Sequence, residues 1–109
     1  MAADTLGDIL IRLYAVIEAR RGAAPAESYT ASLLAAGTPR CAKKFGEEAV
    51  EAAIAGVEGD RAALAEETAD VLYHLLVLMA SAEVSLDDVA AVLVKRQGVS
   101  GHEEKSARG

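Results

Sequence analysis

Tryptophan is absent from this 109-residue chain, and aromatic residues make up only 4% of it. The apolar share is 52% and consists mainly of Ala, Leu and Val. Such side chains let helices pack closely but bury little area each. A single domain of this length then has a thin core, and a dimer or higher oligomer is expected to complete it. Cys41 is the only cysteine, which excludes an intramolecular disulfide and a cysteine-rich zinc site. The apolar run at residues 72–82 is too short to span a bilayer, so no membrane segment is expected. The start of the chain lacks the basic and apolar regions of a secretion signal, and a cytoplasmic protein is the default. Basic residues are outnumbered by acidic ones, 11 to 17, giving a net charge of −6. That balance argues against nucleic acid as a partner, because phosphate contacts need a basic surface. A phosphorylated small molecule remains compatible, provided cations neutralise its site. Walker loop, dinucleotide-binding fingerprint and nucleophile elbow are all missing.

Helical periodicity is what the chain does contain. Leu6, Leu10, Leu13 and Ile17 recur at helical spacing, and Thr5 with Asp8 resembles a capping box, giving a helix over about residues 5–20. Ser28 can cap a short second helix that Gly37 stops. Thr38-Pro39 reads as a capping hydroxyl followed by proline in the first turn, opening a third helix to about residue 57. Gly46 within it costs about 1 kcal/mol of helix propensity relative to Ala, which points to close approach by another helix or a ligand. Gly59 ends this helix and Asp60 caps a fourth, to about residue 82. Residues 71–79 are apolar on nearly every side of that helix and should be buried all round. Ser85 with Asp88 starts a fifth helix, which Lys95-Arg96 closes before Gly98. No strand alternation, repeat or linker is visible. The fold class is therefore all-α, with about five helices over residues 1–98. Residues 99–109 form a tail without helical periodicity, which a bound substrate can order.

Acidic residues cluster in two places. Glu47-Glu48 with Glu51 makes E-E-x-x-E, and after a gap of fifteen residues Glu67 with Asp70 makes E-x-x-D. Taking the break at residues 56–60 and a rise of about 1.5 Å per residue, the two groups lie roughly 11–17 Å and 14–18 Å from the turn. In an antiparallel hairpin they are thus level, and axes about 8–10 Å apart let carboxylates from both helices meet on one ion. On a helical wheel Glu47 and Glu51 lie next to Ile54, bordering the third helix's apolar stripe. Glu67, Val71, His74 and Leu78 share a face of the fourth helix, with Asp70 close by. Two readings stand: a metal cage, or an exposed acidic face partnered by Lys43, Lys44 and Arg61. If a metal is held, hard carboxylate oxygens favour Mg²⁺ or Mn²⁺, ions suited to phosphoanhydride hydrolysis. His74 similarly reads either as a buried hydrogen-bonding residue or as a catalytic one.

Several stretches together resemble the phosphoribosyl-ATP pyrophosphohydrolase family of histidine biosynthesis. They are Lys43-Lys44-Phe45-Gly46-Glu47-Glu48-Ala49-Val50-Glu51, the run from Glu67 to Leu78 with its Tyr73-His74 pair, Ser28-Tyr29-Thr30, and Ser100-Gly101-His102 in the tail. The carboxylate pattern by itself is similar to the wider all-α nucleoside-triphosphate pyrophosphohydrolases, including housecleaning enzymes of the MazG and all-α dUTPase types. A helical dimerisation module with a vestigial acidic face is the non-enzymatic alternative. The resemblance implies hydrolysis of phosphoribosyl-ATP to phosphoribosyl-AMP and pyrophosphate. It further implies Mg²⁺ on Glu48, Glu51, Glu67 and Asp70, with Glu47 as an extra ligand or the base that orients water. Lys44 and Lys105 become contacts to the substrate's phosphates. A homodimer built like a four-helix bundle is also implied, with the apolar run of the fourth helix as its interface.

Overall fold

Every expected helix start is capped by the side chain expected, except one. In the computed structural model, which describes residues 3–98, Thr5 caps α1 (Leu6–Ala19). Its hydroxyl accepts from the Asp8 N–H at 3.0 Å, while the Asp8 carboxylate accepts from the Thr5 N–H at 3.2 Å. Ser28 caps α2 (Tyr29–Ala36) after a 3₁₀ turn at Pro25–Glu27. Asp60 caps α4 (Arg61–Ser81), and Ser85 with Asp88 forms a second capping box on α5 (Leu86–Arg96). Each such cap satisfies backbone N–H groups that the first helical turn leaves unpaired.

The exception is α3 (Thr38–Glu58), where Thr38 does not serve as the cap. Gly37, at φ 96°, takes that place in a conformation that side chains other than glycine resist. Thr38 is already the first helical residue, and its Oγ1 instead meets Ser81 Oγ at 2.7 Å. That bond pins the start of α3 to the end of α4. The other end of the pair closes tightly: α3 continues through Glu58, and Gly59 in the left-handed region is its C-cap.

α3 and α4 thus form a long antiparallel hairpin, 21 residues on each side, and the other helices pack around it. α1 lies against α4, and α2 touches both α3 and α4. The described residues hold five α-helices and no strand, so the class is all-α. The core collects Ile17 from α1, Leu33 from α2, Cys41 from α3, and Leu76, Val77, Met79 and Ala80 from α4. Cys41 is a packing residue whose thiol hydrogen donates to the Leu33 carbonyl. At the outer end of the core, Tyr14 Oη donates to the Val84 carbonyl at 2.7 Å and Arg21 to the Ala80 carbonyl at 2.6 Å. These bonds fasten α1 to the end of α4 and the loop after it. No helix of the described residues is long and apolar enough to cross a membrane.

Two expectations change. The apolar run of α4 is covered only in part within this chain: Leu76 is 3% and Val77 0% exposed, while Val71, Leu72, Tyr73, Leu75 and Leu78 are half-buried. The large exposed apolar side chains lie elsewhere, among them Val50, Ile54 and Val57 on α3. Gly46 marks no close approach by another helix among the described residues, since a Cβ there would meet nothing within 4 Å of them. The tail at 99–109, Lys105 included, lies outside the described residues.

Candidate active site

Which face α3 turns to α4 decides which acids meet. Cys41, Phe45, Glu48, Ala52 and Ala55 are buried or half-buried, a run of helical spacing that faces inward. Ile54 is 51% exposed, so the stripe that Glu47 and Glu51 were expected to border points outward. Glu48 therefore occupies the inner face, which the wheel centred on Ile54 did not assign to it. The tight turn sharpens the register as well. Glu51 stands eight residues before Gly59 and Glu67 seven after Asp60, while Glu48 and Asp70 stand eleven and ten away. At 1.5 Å per residue each pair is nearly level.

Carboxylate oxygens of Glu48, Glu67 and Asp70 lie within 4.8 Å of one another. Glu67 carries the clearest sign of an incomplete site. Its Oε2 is buried and has no hydrogen-bond partner among the described residues, a costly state for a carboxylate. Burial raises the Glu67 carboxyl above its ordinary value, and the Glu51 side chain beside it, then Asp70 and Glu48, push the same way. Acids drawn together without a cation repel, and a divalent ion relieves both that repulsion and the orphaned oxygen. The donor set is all carboxylate oxygen, which fits a hard cation. Glu51 thus belongs beside this group, through Glu67.

Glu47 is placed differently. It is not one of the three grouped carboxylates and pairs with Lys44, Nζ to Oε2 at 3.1 Å. Lys44 holds the Glu47 carboxyl below its ordinary value, and Glu47 raises the lysine in return. Tyr29 and Glu48 also act on the Lys44 charge, so this ammonium sits at the edge of the acidic group.

His74, one turn beyond Asp70, is the buried polar residue of the core, 7% exposed. Its Nδ1 lies 2.7 Å from the Asp70 carbonyl and its Nε2 3.1 Å from Tyr29 Oη. Both ring nitrogens have hydrogen-bond partners. Tyr73 packs edge-on to the histidine ring, its hydroxyl bonded to Thr30 Oγ1. Sequence reasoning noted Ser28-Tyr29-Thr30 without a role. The signal for one was the pairing of a polar, aromatic α2 start with Tyr73-His74, two stretches that only the fold brings together.

With this geometry in hand, comparison with known proteins decides the family. The sequence profile of phosphoribosyl-ATP pyrophosphohydrolase matches residues 10–97. The chain belongs to this family. It is 60% identical over 93% of its length to the phosphoribosyl-ATP pyrophosphatase of Cereibacter sphaeroides strain ATCC 17029, covering 98% of that protein. The Ruegeria pomeroyi protein of the same name is 61% identical over 92% of this chain and 95% of its own. That of Rhodobacter capsulatus is 60% identical over 92% of this chain and 97% of its own. Both carboxylate stretches and the Tyr29–His74 pair fall inside the matched residues.

Proposed function

We propose that this chain hydrolyses phosphoribosyl-ATP to phosphoribosyl-AMP and pyrophosphate, the second step of histidine biosynthesis, as a Mg²⁺-dependent enzyme of the cytoplasm. Mn²⁺, with the same preference for oxygen ligands, would substitute. Membership of the family supports the reaction, and one observation carries the metal: the buried, unpartnered Glu67 Oε2 in a group with Glu48 and Asp70.

Glu48, Glu67 and Asp70 hold the cation, with Glu51 joining beside Glu67. A cation bound there neutralises phosphate oxygens and lowers the pKa of the attacking water. The rest falls to the chain's own side chains. Lys44, at the edge of the acidic group, turns to a substrate phosphate and releases Glu47. The freed Glu47 carboxylate orients the attacking water and takes its proton. Lys105 adds a second phosphate contact from the tail, which the substrate orders against the 1–98 domain. A second copy of the chain covers the exposed Val50, Ile54 and Val57 on α3, completing a homodimer with a bundle-like core.

Pyrophosphate release should be measured from phosphoribosyl-ATP and from a panel of deoxynucleoside triphosphates, each with Mg²⁺. Turnover of phosphoribosyl-ATP is the expected result. Turnover of the free nucleotides alone would place the chain among the housecleaning pyrophosphatases.

A further inference from the structure

The hydrogen bonds around His74 fix where one proton lies. The Asp70 carbonyl can only accept, so the Nδ1 atom 2.7 Å from it carries the proton. In the neutral ring Nε2 is then an acceptor, and the Tyr29 hydroxyl 3.1 Å away must donate to it. The ring has little freedom to do otherwise, being 7% exposed and boxed in by Tyr29 and Tyr73. Tyr29 itself is 53% exposed. Its hydroxyl, with the proton given to His74, keeps a lone pair to accept with and has no proton left to offer.

That polarity selects a ligand. Phosphate oxygens only accept, so an oxygen with no spare proton does not recognise them; the neighbouring Lys44 ammonium does. The substrate's donors nearest to the reacting phosphates are the hydroxyls of the ribose esterified to the triphosphate. Tyr29 is tied to the same site. It is joined through His74 to the backbone of Asp70, a member of the carboxylate group, and it lies near Lys44.

Resting on the phosphoribosyl-ATP reading above, we propose that Tyr29 is a specificity-determining residue. Its phenol oxygen, with its proton committed to His74, accepts a hydrogen bond from a hydroxyl of the triphosphate-bearing ribose. His74 is the positioning residue that sets this polarity.

The test compares the full-length enzyme with Tyr29→Phe, which keeps the ring and removes only the oxygen. Substrates are phosphoribosyl-ATP and its analogues lacking the 2′- or the 3′-hydroxyl of that ribose; Mn²⁺ binding without substrate is the second readout. On the parent substrate, Tyr29→Phe should raise KM about tenfold, as loss of one hydrogen bond does, with kcat kept within about twofold. On one deoxy analogue the wild type should show the same loss, and the variant should lose nothing further. Mn²⁺ affinity should be equal in both proteins. An unchanged KM on the parent would overturn the role, and so would a wild type indifferent to both hydroxyls. A fall in Mn²⁺ affinity in Tyr29→Phe would also overturn it, making Tyr29 a strut for Asp70. Failure of the wild type to turn over phosphoribosyl-ATP is a separate result, and it removes the functional reading and this role together.

Discussion

Glu67 on α4 meets Glu48 of α3 across the hairpin, oxygens within 4.8 Å, and Glu67 Oε2 is buried there without a hydrogen-bond partner among the described residues. Glu67 is thus strained as long as no cation accompanies it. Glu67→Gln should raise the melting temperature of the metal-free protein, because it removes a carboxylate whose charged form burial and its neighbours disfavour. The same change should cut Mn²⁺ affinity at least about tenfold, read by calorimetry. A variant less stable than the metal-free wild type would show that this carboxylate is satisfied as it stands.

Asp70 and Glu51 flank Glu67 from the two helices. Asp70→Asn and Glu51→Gln keep side-chain size and remove charge, so the helical circular dichroism should be unchanged. Each should lower kcat by about a hundredfold or more, the worth of about 3 kcal/mol of transition-state stabilisation. Wild-type rates in both would dissociate the carboxylates from catalysis.

Ile17 is 1% exposed and packs where α1 meets the core. In a core this thin a cavity has few neighbours able to fill it. Ile17→Ala should cost about 2–5 kcal/mol of unfolding free energy, measured by denaturant titration.

Burial raises the pKa of both Tyr14 and Tyr73 above the ordinary value near 10. The sign follows from linkage: above the ordinary value the unfolded chain has released these protons while the folded chain still holds them. Stability should thus be undiminished by these groups below about pH 10 and fall as pH rises beyond it. Spectroscopic titration of tyrosinate should show fewer tyrosines ionising in the folded protein than in denaturant at the same alkaline pH.

Ile54 is 51% exposed and Val57 89%, next to Val50 on the same outward side of α3. Ile54→Asp places a charge in that stripe. Sedimentation should give a dimer for the wild type and a monomer for the variant, with helical content retained. A dimer that survives the change would move the interface to another surface.

The helices were legible in the sequence because their boundaries are local. Thr5, Ser28, Asp60 and Ser85 each cap through bonds to a residue three positions on, and such bonds need no tertiary context. Thr38 was misread because its partner, Ser81, lies 43 positions away, a contact that no local pattern encodes. The same limit governs the site. Level spacing across the turn brought Glu48, Glu67 and Asp70 together on paper, but the inward face of α3 depends on packing against α4. A wheel centred on Ile54 therefore turned that helix the wrong way. Residues 71–79 were read as buried on every side, but within the chain His74, Leu76, Val77 and Met79 are buried and the other five half-buried, because the neighbouring helices cover only part of that segment. The Tyr29–His74 bond spans 45 positions and was beyond reach for the same reason as Thr38–Ser81.

Formation of phosphoribosyl-AMP from phosphoribosyl-ATP, followed with and without divalent cations, is the most direct measurement. Turnover should fall to background when a chelator strips the protein, and return on addition of Mg²⁺ in the wild type but not in Glu67→Gln. Equal turnover in the presence of excess chelator would contradict a cation held by Glu48, Glu67 and Asp70.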